Sequence, residues 1–254
     1  MSSPVSDSGV RPLFKALLRA DFLVTMRNRR AVLLSVLLPI LLLFATNTNR
    51  AEQRLDGSTF IVGLCITYGL VSTSIMGYAL TVARDREKGV FQRLRVTPAP
   101  TWTIMVSRLV MRIVANLVIA IVVVIVGAQI HHLSLSAGEY ALVLVVSVLG
   151  GAVFLAIGQA LVGLVRSADS VNAAGRVLYI GLVFLGLLGL EGVLGDTIQS
   201  IAKWSPVGAV MTLFAGVLDL SAWSSTDTLS IVACLGYVVA CTVVGIRWFQ
   251  WEAR

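Results

Sequence analysis

RDREKGVFQRLRVTP, residues 84–98, is a charged island between two long apolar runs. Residues 59–83 before it hold no Asp, Glu, Lys or Arg, and residues 104–130 after it hold only Arg108 and Arg112, near their start. At about 1.5 Å per residue, each run is long enough to cross a hydrocarbon core of about 30 Å as a helix. A backbone in lipid must pair all its own polar groups, so the two runs read as helices and the island as the water-borne turn between them. That reading sets the fold class: an all-α polytopic membrane protein.

Composition agrees. The 254 residues are 57% hydrophobic and 13% charged, with a mean hydropathy of +0.90, where soluble chains carry about 25% charged residues. The net charge of +7 does not imply a nucleic-acid partner, because the basic residues sit at the ends of apolar runs instead of sharing one soluble face. Cys65, Cys234 and Cys241 fall inside those runs and read as small buried side chains.

Upstream of the island, residues 1–30 read as a tail followed by an interfacial helix. Phe14, Leu17, Leu18, Phe22 and Met26 recur at helical spacing, with Lys15 and Arg19 on another face. Arg27, Arg29 and Arg30 precede a short first span, 31–49, with Pro39 near its middle. In the second span, 59–83, Gly69, Thr73 and Gly77 make a small-residue stripe that admits a second helix, either of this chain or of a dimer partner.

Downstream, spans are expected at 104–130, 140–165, 177–194 and 229–248, with a polar loop at 166–176. His131 and His132 read as an interfacial turn, and Glu191 as a carboxylate at the outer end of the fifth span. Trp248, Phe249 and Trp251 close the sixth as an aromatic belt. Residues 195–228 form an external region. Within it the apolar run 207–218 is too short to cross, so it reads as a re-entrant helix with Pro206 in its first turn.

Six spans place the N-terminal segment, the island, residues 166–176 and the C-terminus on one side, with 17 of the 20 basic residues. Only Arg50, Arg54 and Lys203 lie opposite. By the positive-inside rule that side, with both termini, is cytoplasmic.

No G-x-x-x-x-G-K-[ST] phosphate loop, G-x-S-x-G elbow or H-E-x-x-H pair occurs in the sequence. The expectation is therefore no catalytic residue, no metal ligand and no bound cofactor. The island reads differently. Asp85 and Glu87 suit the front of a short helix, with Asp85 as its cap. Val90, Phe91 and Leu94 share one face, rimmed by Arg86, Lys88, Arg93 and Arg95, and Pro98 and Pro100 stop it. An apolar knob with a charged rim is the anatomy of a protein interface.

Arg86-Glu87-Lys88-Gly89, followed by Leu94, Thr97 and Pro98, resembles the cytoplasmic coupling segment of the type-2 integral membrane (permease) subunits of ATP-binding cassette exporters, the group that includes daunorubicin-resistance permeases. Ser205-Pro206 stands where that family has Asn-Pro before a re-entrant helix. Val90 and Gln92 replace the family's Thr and acidic residue, and Gly208 and Ala209 stand where an aromatic is usual. The resemblance implies one six-span domain over 31–254 that exports an apolar or amphipathic drug, antibiotic or lipid from the cell. It implies a plasma-membrane location, surrounding lipid, a second permease half (identical or paralogous), and a separate ATPase subunit that binds ATP and Mg. Docking to that subunit would fall to Arg84, Asp85, Arg86, Glu87, Gly89, Val90, Phe91, Leu94, Thr97 and Pro98. The residues alone leave open a secondary transporter or channel, and a structural or enzymatic membrane subunit.

Overall fold

The computed structural model describes residues 18–19, 29–46, 57–90, 101–189 and 195–248. All regular structure among them is helical: α1 (Arg29–Ala45), α2 (Ser58–Glu87), α3 (Thr101–Ile130), α4 (Ala137–Leu164), α5 (Ala168–Leu188), α6 (Asp196–Trp204), α7 (Pro206–Leu218) and α8 (Ser225–Trp248). Of the expected interfacial helix only Leu18 and Arg19 are described, and both are helical. Glu191, Phe249 and Trp251 lie outside the described residues.

Five helices are long and apolar enough to cross a membrane, or six if the bent pair α6 and α7 counts as one crossing. α1 has 17 residues, about 26 Å, a little short of a hydrocarbon core. α2 is the hub. Its most apolar window is 78% buried, against 17% for α8, and it packs on α1, α3, α4 and α7. α8 leans mainly on α4 and leaves Val232, Val239 and Ile246 exposed, an apolar surface suited to lipid or another chain.

Local chemistry sets the helix ends. Ser136 and Glu139 form a reciprocal capping box at the start of α4. Ser167 caps α5 by accepting from Ser170 N–H at 3.1 Å. Helix α5 therefore begins inside the stretch 166–176 expected as a loop. Its polar residues Asp169, Ser170 and Arg176 are exposed, while Val171, Gly175 and Leu182 are buried at helical spacing.

The middle of α2, Ser72–Ala79, is π-helical, a widening often found at working sites. A polar seam lies along it. Thr73 Oγ1 donates to Asn116 Oδ1 at 2.5 Å, and Asn116 Nδ2 donates to Ser74 Oγ at 3.4 Å. Tyr78 OH donates to Gln159 Oε1 at 2.8 Å. Arg112 reaches Thr81 Oγ1 at 3.2 Å and the Gly77 carbonyl at 3.4 Å. In lipid the hydrophobic effect does not draw helices together, so contacts like these and close packing hold the bundle.

The Gly69, Thr73, Gly77 stripe faces this seam. A Cβ on Gly69 would stand 2.8 Å from Ile119 of α3 and 3.3 Å from Pro39 of α1, and one on Gly77 would stand 3.1 Å from Arg112. All three positions meet helices of the same chain, so a second permease half would need another face. Asn116→Leu is expected to cost only about 1 kcal/mol, because Thr73 keeps the Gly69 carbonyl at 3.0 Å as an alternative acceptor. Thermal unfolding in detergent measures this, and a loss above about 3 kcal/mol would contradict it.

Candidate functional site

The charged island begins as the last turn of α2, not as a new helix. The helix continues through Arg84–Glu87, Lys88 and Gly89 return hydrogen bonds to the Arg84 and Arg86 carbonyls, and Gly89 takes φ 65°. This is a left-handed helix stop that glycine adopts without steric cost. Asp85 is thus no N-cap. It pairs with Arg108 of α3 at 2.6 Å.

Arg86 and Glu87 diverge from this turn to grip one junction. Arg86 is 4% exposed, and its guanidinium donates to the carbonyls of Val162 at 2.9 Å, Val165 at 2.7 Å and Arg166 at 2.6 Å. These are orphan acceptors at the C-terminal end of α4, where a cation also meets the negative end of the helix dipole. Glu87 accepts from Ala168 N–H at 2.6 Å, the first residue of α5, where a carboxylate meets the positive end. One side chain closes α4 and its neighbour opens α5. Arg86 Nε finds no partner among the described residues, so the planar fork is committed through its two terminal nitrogens.

The rest of the island divides in two. Arg84 and Lys88 are exposed and Val90 half-exposed, while Phe91, Leu94, Thr97 and Pro98 lie outside the described residues. Ser205 and Pro206 stand where α6 and α7 meet at a 77° bend. Ser205 Oγ accepts from Gly208 N–H at 3.1 Å and donates to the Ala202 carbonyl at 2.7 Å, with Pro206 in the first turn. Gly208 has no side chain because a Cβ there would overlap the Ala202 carbonyl. α7 is almost wholly buried against α2, α4 and α8.

The sequence matches the family of ABC-2 type transporters over residues 12–218. The chain belongs to that family. It is also 27% identical over 192 residues to a Bacillus subtilis (strain 168) protein named "Putative transport permease YvfS", covering 74% of this chain and 78% of that one.

An ABC-2 chain is a transport permease of the multi-pass membrane kind, not an enzyme, and the family implies an ATP-binding cassette partner. In this permease the Arg-Glu-x-Gly spacing has a physical reading. Arg86 and Glu87 are consecutive, so on a helix their side chains point about 100° apart and can reach both flanks of one helix turn. The motif holds the donor and the acceptor but not their targets, which lie 76 to 81 positions further along the chain. The capping serine Ser167 was the available sign that a helix begins there.

Proposed function

We propose that this chain is the membrane half of an ATP-driven exporter whose ATPase subunits bind the segment 84–98 from the cytoplasm. The observation that carries the reading is the grip of Arg86 and Glu87. A push on the residues that follow Gly89 would reach α2 through the chain itself and α4 and α5 through the four hydrogen bonds of that grip. Charge placement supports the side. Arg84, Arg86, Lys88, Arg108, Arg112, Arg166 and Arg176 gather at this end of the bundle, the pattern of a cytoplasmic face. The lack of a phosphate loop supports the need for a partner.

On this reading Arg84 and Lys88 form the rim of the docking face, and Val90, Phe91 and Leu94 its apolar knob. Arg86 and Glu87 act behind that face as transmitters. ATP and Mg are held by the partner. ATP-driven closure of two ATPase subunits rocks α2, α4 and α5 as a unit between inward and outward states. The bent pair α6 and α7 enters and leaves from the external side as a re-entrant hairpin. Cargo is an apolar or amphipathic compound, a drug, antibiotic or lipid, as suits a bundle with so few charges and the daunorubicin-permease-like spacing of Arg86, Glu87, Gly89, Leu94, Thr97 and Pro98. A second permease half completes the pathway.

The test is copurification of the ATPase subunit with the full chain. Phe91→Asp with Leu94→Asp should remove the ATPase while leaving membrane insertion and the detergent-solubilised yield intact. Retention of the ATPase by that double variant would sink the docking role. The alternative reading, a secondary transporter or channel, predicts transport by this chain alone under an ion gradient.

A further inference from the structure

α2 is about 45 Å long, and the end opposite Arg86 opens into a cavity of about 760 Å³. Helical spacing builds it. Asp196, Gln199, Ser200 and Lys203 come from one face of α6, and Thr212, Ala215, Gly216 and Asp219 from one face of α7. The 77° bend holds the two faces apart. Phe60 of α2 and Asp227 of α8 complete the wall. Both outer ends of the bent pair, Asp196 and Asp219, thus border the same space.

Asp227 is the unusual member. It is 5% exposed, yet no cation pairs with it among the described residues. Its Oδ2 accepts from Ser224 N–H at 2.6 Å and from Ser224 Oγ at 2.7 Å, which accounts for its role at the start of α8. Its Oδ1 takes no hydrogen bond among the described residues and faces Gly216, where a Cβ would stand 2.8 Å away. A capping carboxylate needs one bonded oxygen and is at ease in water. The second oxygen is not sealed among protein atoms but left open to the cavity, beside a glycine in the last turn of α7, and a nearly buried carboxylate placed so calls for another reason. A buried carboxylate is costly unless a counter-charge meets it. Lys203 shares the cavity but lies beyond ion-pair distance of all three carboxylates, since Arg108 with Asp85 is the sole salt bridge among the described residues.

We propose that this cavity binds an organic ammonium group with Asp227 as its counter-ion, the group being carried by a lipid headgroup or by a free amphiphilic amine. A bare metal ion fits poorly: no group of three acidic, His or Cys ligands is assembled among the described residues, and the space far exceeds an ion. Phe60 and Trp204 add aromatic faces that suit an ammonium with an apolar body. Asp196 and Asp219 make the approach acidic, and Lys203 is placed to meet a phosphate on the same molecule. The site rests on the proposed function only for its side, external, where it would meet cargo or lipid of the outer leaflet.

Full-length chain in a neutral maltoside detergent is titrated calorimetrically with tetrabutylammonium and, separately, with dihexanoylphosphatidylethanolamine. Saturable binding of at least one probe is expected. Asp227→Asn, which keeps an acceptor for Ser224, should weaken it on the order of tenfold or more. Thr212→Trp, a cavity-filling change remote from the cap, should weaken it comparably, which guards against a folding defect in the first variant. Preference for the phosphatidylethanolamine identifies a lipid headgroup, and preference for tetrabutylammonium a free amine. No saturable binding of either probe, or equal binding by wild type and both variants, overturns the proposal. The ATPase subunit is absent from this assay, so failure here leaves the exporter reading intact, and failure of ATPase copurification leaves this site intact.

Discussion

Arg86→Ala is expected to lower the stability of the solubilised permease by about 3 kcal/mol and, on the proposed function, to break the link between ATP hydrolysis and export. The first effect follows from the hydrogen bonds. Three carbonyls, of Val162, Val165 and Arg166, lose charge-assisted donors, each worth about 1.5 to 3 kcal/mol, while the relief of no longer burying a guanidinium offsets part of the loss. The second follows from geometry, because the end of α4 would be tied to α2 only by packing. Arg86→Lys keeps the charge but not the planar fork, and one ammonium cannot reach three carbonyls in a fixed arrangement. It should recover less than half of the stability. Glu87→Gln removes one charge from a single bond to Ala168 N–H and should cost no more than about 1 kcal/mol. Thermal unfolding in detergent gives the order wild type, E87Q, R86K, R86A. ATPase rate with and without cargo, measured in the complex, gives the coupling. An Arg86→Ala protein as stable as wild type would show that water replaces the guanidinium at no cost, and the transmitter role would fall with it.

The long helices are legible in the sequence because lipid imposes a simple rule: apolar runs of sufficient length become helices. Run length alone placed α2, α3, α4 and α8 near their observed ranges. The start of α5 was not readable from hydropathy, which averages over a window and so sees Asp169, Ser170 and Arg176 as a loop. Helical period carries the right signal there, with Ser167 as cap and Val171, Gly175 and Leu182 buried. The end of α2 differs from the expected short new helix for a related reason. Charge at Arg84–Glu87 signals departure from lipid, but a helix continues in water where its side chains find partners, and here the partners sit on α4 and α5. No local pattern holds that information. The π-helical turns of Ser72–Ala79 were equally silent, since the seam they support joins Thr73 to Asn116 and Tyr78 to Gln159 across three helices.

The proposed export cycle requires a motion, and the contacts say which parts would share it. α4 is held at one end by Arg86 and lies along α8, its most extensive neighbour. α7 touches α2, α4 and α8 at once. A displacement entering at Gly89 would therefore reach the bent pair through α2 and α4 together, which joins the Arg86 turn to the cavity at the far end of α2.

Gly208→Ala tests that far end, and its expected sign opposes helix propensity. Alanine is favoured over glycine inside a helix by about 1 kcal/mol. At Gly236 and Gly181, where a new Cβ would meet nothing within 4 Å, the substitution should be neutral or slightly stabilising. At Gly208 the Cβ would overlap the Ala202 carbonyl and stand 2.8 Å from that of Lys203. Both are backbone atoms at the end of α6 and cannot rotate aside. α6 must then swing away from α7, breaking the Ser205 Oγ bonds to Gly208 N–H and the Ala202 carbonyl, and with them the bend that holds the cavity open. The expected cost is about 3 kcal/mol or more, at the upper end of overpacking effects. Differential scanning fluorimetry on G208A, G236A and wild type reads the contrast. If G208A unfolds at the wild-type temperature, the α6 and α7 crossing is looser than its geometry implies, and the cavity loses the rigid wall on which amine binding depends.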